Sequence, residues 1–216
     1  MNASSNDLCR ICHGETVPLL NFEVCGEHDA NLIRCSVCGF SFIPDPWWLE
    51  STFEDRLHRM DVGSLERSLY VARFLKGVSV LNKRWRDQPM LDFGAGDGVL
   101  VRHLRDRGLQ IRYSDPFATP IFYVGDAVNE DDNFELSILS EVALHFVDPL
   151  QEFKSLLERS NQILFTAVKA PEKFDENWWY LMKSTGQHVA FYSKKSIDQL
   201  AKEFGCHSYG KGSFST

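Results

Sequence analysis

Nine residues, Met90-Leu91-Asp92-Phe93-Gly94-Ala95-Gly96-Asp97-Gly98, constrain this chain more than any others. Met90 to Phe93 are apolar apart from one acid, which predicts a buried strand. Three glycines at alternate positions predict a tight turn. Val99, Leu100, Val101 and Leu104 then supply helical apolar spacing. Glycines at such a turn let backbone amides approach a ligand closely, because no side chain intervenes. The helix that follows aims its unpaired first-turn N–H groups at the same place. A nucleotide-type cofactor suits this arrangement, which puts an enzyme ahead of a binding module.

A dinucleotide fingerprint reads Gly-x-Gly-x-x-Gly. Here the spacing is Gly94-x-Gly96-x-Gly98 behind Asp92, which argues against an NAD-dependent oxidoreductase. The pattern resembles motif I of class I S-adenosylmethionine methyltransferases. That resemblance implies cofactor contacts from Gly94, Ala95, Gly96 and Gly98, with Asp92 orienting the loop near the cofactor's amino-acid end. Asp115, with Pro116 beside it, follows the strand-like run Ile111–Ser114 and lies 19 residues beyond Gly96. An acid about 20 residues after the glycine turn reaches ribose hydroxyls in such folds, and a carboxylate accepts two O–H donors.

The chain continues in the same register. Phe134–Leu139 predicts a third strand, Leu150–Arg159 a helix, and Ile163–Val168 a further strand fit for burial on both faces. Between them, Glu141-Val142-Ala143-Leu144-His145-Phe146-Val147-Asp148-Pro149 resembles a segment that these methyltransferases carry after strand 4. The resemblance implies a cofactor contact from Glu141 and places His145 at the ligand-facing end of the sheet. Leu144 stands where many relatives have Glu. Only 20 positions separate Asp115 from Glu135, and Pro116 and Pro120 disfavour a helix there. The expected fold is α/β: a Rossmann-like methyltransferase sheet with helices on both faces, trimmed in this region. Gly125-Asp126 is a weak candidate for the acid near the adenine. After Phe204-Gly205 there is room for one more strand and a stub.

Six cysteines mark a second unit, and four of them form two pairs, Cys9-x-x-Cys12 and Cys35-x-x-Cys38. Each pair offers two thiolates along one edge of a tetrahedron, and four thiolates close a structural zinc site. Gly39 permits tight backbone after the second pair, with Phe40 and Phe42 as its small core. A segment of this size buries too little surface to stand alone, so a metal staple is expected. Cys9-x-x-Cys12-His13 also fits haem attachment, and a redox dithiol is conceivable. The second Cys pair favours zinc over both. Cys25 and Cys206 read as ordinary half-buried thiols.

Pro44-Asp45-Pro46 marks a boundary. The expected organisation is a zinc ribbon over 1–46, a helical linker covering the cofactor over 47–86, and the cofactor-binding domain over 87–216. Two helices are expected, Leu49–Arg59 and Leu65–Trp85, the second with an inward stripe of Leu65, Leu69, Ala72, Leu75 and Val78. Met60–Gly63 reads as a loop between them, and Asp61 or Arg67 could reach the cofactor.

The chain has 216 residues and a net charge of −7, with no electrostatic footprint for nucleic acid. The run Arg102-His103-Leu104-Arg105-Asp106-Arg107 reads as a solvated face. No apolar stretch approaches a membrane span, and no secretory leader is evident, so a cytoplasmic location is expected. The oligomeric state stays open.

Beyond the last strand, Trp178-Trp179-Tyr180 offers either a stacking platform or core. His188 follows Gln187 in a loop expected to face His145. An imidazole titrates near neutral pH and suits a general base. The Cys pairs, the strand-4 histidine and Gln187-His188-Val189-Ala190-Phe191-Tyr192-Ser193 together resemble zinc-containing nucleotide-sugar C-methyltransferases. That resemblance implies a sugar acceptor, with His145 and His188 in the active site and one of them as base. Gln187 stands where that family has Glu, and Thr185 where it has Tyr. The acceptor class therefore widens to small molecules and glycans. A non-catalytic scaffold on the same fold is the alternative.

Overall fold

The computed structural model describes residues 7–54, 62–123, 125, 127–129 and 131–210. Asp61 and Asp126, both named above as cofactor candidates, lie outside the described residues, as does Met60. The chain divides into two compact units. One comprises Met1–Glu54, Leu144–Glu152 and Ala167–Thr216, the other Asp55–Ala143 and Phe153–Thr166.

The second unit is built on a parallel sheet. Its strands are β4 (Met90–Phe93), β5 (Ile111–Ser114), β6 (Leu136–Ser140) and β7 (Ile163–Thr166), in the order β5-β4-β6-β7. All three pairings are parallel, as strand–helix–strand alternation requires. Helix α4 (Val99–Arg105) buries Leu100, Val101 and Leu104 of the four apolar residues its spacing nominates, and leaves Val99 half-buried. They pack with Met90, Ile111, Leu136 and Ile138 into one core. Each such fully buried aliphatic side chain contributes roughly 1.5–3 kcal/mol. Between Ser114 and Leu136 no helix occurs among the described residues, as the expected trimming of this region implies, and Tyr113 pairs with Ala127 in an isolated parallel bridge.

Several expectations need correction. β7 is half-buried along its whole length rather than buried on both faces, because it is the edge strand of the described sheet. The long helix starts earlier, as α2 (Val62–Leu81), so Val62 and Gly63 are helical rather than looped. It breaks at Asn82, whose side chain caps α3 (Lys83–Asp87) by accepting from Arg84 and Trp85 N–H groups. Its inward stripe is Val71, Ala72, Leu75 and Ser79, while Leu65 is exposed. The basic run on α4 is a solvated face, with Arg102 paired to Asp106 one turn on.

The first unit centres on an antiparallel sheet of β1 (Thr16–Val24), β2 (His28–Cys35), β3 (Ser41–Phe42) and β8 (Ala190–Phe191). The β1–β2 hairpin turns at Cys25 and Gly26, both at positive φ, which suits the right-handed twist of the flanking strands. β8 is the late strand of the chain. It pairs with β3 rather than extending the parallel sheet, and no strand follows it among the described residues. Phe40 and Phe42 are both buried and stack with ring centroids 5.3 Å apart. Helices α1 (Leu49–Glu54) and α6 (Lys194–Glu203) belong to this unit, and α5 (Pro149–Leu157) begins in it and ends in the other. Ser193 caps α6 in a reciprocal box with Ser196. Cys206 is exposed, not half-buried. No helix among the described residues is long and apolar enough to cross a membrane.

Candidate active site

In the parallel-sheet unit, β4 runs directly into the glycine turn. Gly94, Gly96 and Gly98 all have positive φ, a conformation that costs a residue bearing Cβ roughly 1–2 kcal/mol. Gly94 is also sterically required, because a Cβ there would lie 2.6 Å from Val142. At Gly96 the added carbon would meet nothing within 4 Å. The backbone of Gly96 therefore faces open space that a ligand could fill, while Gly94 closes the turn. Gly98 packs tightly, its virtual Cβ 2.7 Å from Pro120.

Asp92 is 2% exposed, and its Oδ2 has no hydrogen-bond partner in the protein. A buried, unpaired carboxylate oxygen costs free energy unless a donor reaches it. Burial, reinforced by the neighbouring Asp115 charge, pushes its pKa up to about 8, and the Val101 backbone N–H pulls the other way. Asp115 is arranged differently. Its Oδ2 accepts from the Gly96 N–H at 2.8 Å, and its Oδ1 accepts from the Phe117 and Ala118 N–H groups, each at 2.8 Å. Asp115 thus locks the glycine turn to the loop after β5, in addition to the ribose contact its spacing to Gly96 predicts. Ala95 and Asp115 are half-buried and Pro116 is exposed.

At the end of β6, Glu141 sits at φ 60°, unusual for a residue with a side chain and common at functional sites. Its N–H donates to Thr166 Oγ1 at 3.1 Å, at the end of β7. Thr166 was not singled out in the sequence, since a strand-terminal Thr carries no local signal.

In the other unit, a 3₁₀ turn over Ala143–His145 presents the first histidine. The His145 and His188 rings lie 5.6 Å apart, centroid to centroid. Phe53 stands 5.3 Å from His145, and Tyr180 stands 4.6 Å from His188, both edge-on. His188 Nδ1 lies 2.7 Å from the Tyr180 carbonyl oxygen. A carbonyl only accepts, so Nδ1 carries a proton in this bond. Gln187 is buried, and its side-chain amide donates to the Thr52 carbonyl at 3.0 Å. A glutamate could not make that bond. Of the tryptophan run, Tyr180 is core, Trp178 is half-buried, and Trp179 is 64% exposed.

The four paired cysteines converge in the same unit, all their Sγ atoms within 4.8 Å of one another. Cys9–Cys38 and Cys12–Cys35 approach to 3.6 and 3.5 Å, near the edge of about 3.8 Å that a tetrahedron with 2.3 Å Zn–S bonds would have. Backbone N–H groups of Ile11, Val37 and Cys38 point at Cys9 and Cys35 sulfurs at 3.3–3.4 Å. The Cys38 thiol holds Cys9 down to about 5, and the same bond holds Cys38 far above its usual value. These thiols are free, not disulfide-bonded.

The methyltransferase-domain family model matches residues 66–208. The chain belongs to that family. It is an S-adenosylmethionine-dependent methyltransferase, and the glycine turn and Asp92 lie inside the matched span. Among solved structures, the chain is similar to the plantazolicin methyltransferase BpumL in complex with SAH, at 13% identity and a TM-score of 0.45, covering 74% of this chain and 70% of that one. It is also similar to CalO1, a methyltransferase in calicheamicin biosynthesis, at 13% identity and 0.45, covering 73% and 53%. A third is a possible histamine N-methyltransferase from Thermotoga maritima, at 16% identity and 0.40, covering 69% and 79%. No curated protein matches the chain. In this methyltransferase, the unpaired Asp92 Oδ2 and the open face of Gly96 fit a cofactor that supplies a donor and lies close to the backbone.

Proposed function

We propose that the chain methylates a small-molecule or glycan acceptor, with the paired histidines as its general base and the four cysteines as ligands of a structural zinc ion. Bound S-adenosylmethionine supplies an electrophilic methyl group. Asp92, Gly94, Ala95, Gly96 and Gly98 are the residues that would hold it, with Asp115, Pro116 and Glu141 at the neighbouring strand ends. The protein's own part is positioning and proton removal. Holding reactants in line accelerates transfer without covalent chemistry.

The observation that carries the base assignment is the hydrogen bond from His188 Nδ1 to the Tyr180 carbonyl. It puts a proton on Nδ1, which makes Nε2 the nitrogen through which the ring would take a proton from an acceptor hydroxyl or an acidic α-carbon. His145, one ring away, can share or relay that proton. The half-buried ring of Phe53 beside His145 suits an acceptor with a flat apolar face, as sugars and planar rings have.

The test is an acceptor screen with nucleotide sugars and glycans, followed by His188→Ala and His145→Ala. Loss of turnover of about 10²–10⁴-fold with S-adenosylhomocysteine binding retained supports the assignment. Unchanged turnover in both variants removes it.

A further inference from the structure

We propose that Arg10 is a positioning residue that ties the first cysteine knuckle to the loop carrying His145. Arg10 is the second residue of Cys9-Arg10-Ile11-Cys12, yet its side chain leaves the knuckle. Its guanidinium donates to the carbonyl of Val147 at 2.5 Å, two residues past His145, and also to the carbonyl of Pro44. The same group lies 5.0 Å from the centroid of the Phe42 ring. Two carbonyls and an aromatic face match the planar fork of arginine and not the single ammonium of lysine. Asp7, Asp45 and Asp148 supply the opposing charge, while burial lowers its pKa.

The loop is gripped at its other end by the same part of the chain. The Ile43 N–H donates to the Val189 carbonyl at 3.0 Å, and the Val189 N–H donates to the Leu144 carbonyl at 2.9 Å. Val189 adjoins His188, and Leu144 adjoins His145. The backbone after His188 is therefore bonded directly to the segment that follows the second knuckle, and the backbone before His145 is bonded to it through Val189. Ser193 closes the frame, its hydroxyl donating to the Cys38 carbonyl at 2.8 Å. His145 sits between two fixed points: Leu144, held by Val189, and Val147, held by Arg10. A four-cysteine cluster in this place does more than hold a hairpin together. It is the rigid base from which one imidazole is aimed at the other.

This inference rests on the histidine pair being the site proposed above. Its test reads the ring directly, so a failure of His188 as base leaves it standing. In the full chain, loaded with Zn²⁺ and labelled with ¹⁵N-histidine, the imidazole signals of His145 and His103 are followed in wild type, Arg10→Gln and Arg10→Lys. Amide exchange is measured on the same samples. Both variants should keep wild-type zinc stoichiometry and bind S-adenosylhomocysteine within about twofold of wild type. The His145 signal should shift or broaden while His103, on α4, stays put. Exchange at Phe146–Asp148 should rise about tenfold, with Arg10→Lys recovering part of the effect through one carbonyl. An unmoved His145 signal overturns the proposal. So does a rise in exchange spread over the whole chain, or failure of both variants to fold, since each assigns Arg10 to general stability.

Discussion

The imidazole of His188 lies 5.6 Å from that of His145 and is oriented by a hydrogen bond from its Nδ1 to the carbonyl oxygen of Tyr180. Gln187, the preceding residue, is turned the other way and donates to the carbonyl of Thr52. One residue of the pair is presented and its neighbour anchors the loop.

Gln187→Glu tests that anchor. A carboxylate cannot donate to the Thr52 carbonyl and would be buried against it, which costs about 1–3 kcal/mol or more for a charged group. At roughly 2–4 °C per kcal/mol for a chain of this length, thermal unfolding should fall by several degrees. The loss should shrink at low pH, where the protonated acid recovers a donor. An unchanged midpoint at pH 8 contradicts the assignment.

The two glycines of the turn should separate stability from binding. Gly94→Ala places its Cβ against Val142 at positive φ and should cost about 2–4 kcal/mol of stability. Gly96→Ala meets no atom within 4 Å and should cost only the backbone strain, about 1–2 kcal/mol. Its S-adenosylhomocysteine affinity should nonetheless drop at least about tenfold, because the methyl fills the ligand's space. Paired denaturation and titration of the two variants check this. Equal affinity losses per unit of stability lost would contradict it.

Asp92 makes the ligand-free protein sensitive to pH. Its pKa in the folded state is raised to about 8, so between the ordinary carboxylate range and that value the folded state binds more protons than the unfolded one. Stability then falls as pH rises through that window. The contribution is fully present below about pH 4 and lost above about pH 8. Asp92→Asn should remove this slope. It should melt higher than wild type at pH 8, match it near pH 4, and bind S-adenosylhomocysteine more weakly. A slope unchanged by the substitution contradicts the account.

Cys35→Ser, or chelation of wild type, should destabilise the unit that carries the histidines. Structural zinc contributes folding free energy directly, and Cys35 accepts two backbone N–H bonds as well. The melting midpoint should fall by more than about 10 °C, and stoichiometric Zn²⁺ should restore only the chelated wild type. A midpoint indifferent to chelator contradicts the zinc proposal.

The glycine turn was legible in the sequence because positive φ at three alternate positions admits almost nothing but glycine. The cysteine cluster was legible because two Cys-x-x-Cys pairs leave few other solutions. The inward face of α4 followed from its period, and the lack of a helix after β5 among the described residues from Pro116 and Pro120. Other features had no local signal. β8 is two residues long, too short to show a period, and its partner Ser41–Phe42 lies far back in the chain. Arg10 reaches a carbonyl 137 positions onward, which nothing in its own neighbourhood announces. The burial of β7 was overestimated because composition does not reveal which strand ends up at an edge. Asp115 is expected to face ribose hydroxyls, and no local pattern announces the three backbone N–H groups that bind its carboxylate.

The most direct measurement is a calorimetric titration of the purified chain with S-adenosylmethionine and S-adenosylhomocysteine, with metal content determined on the same sample. The account predicts one site of micromolar affinity for each and one zinc per chain. A folded, zinc-loaded protein that takes up neither compound would contradict it.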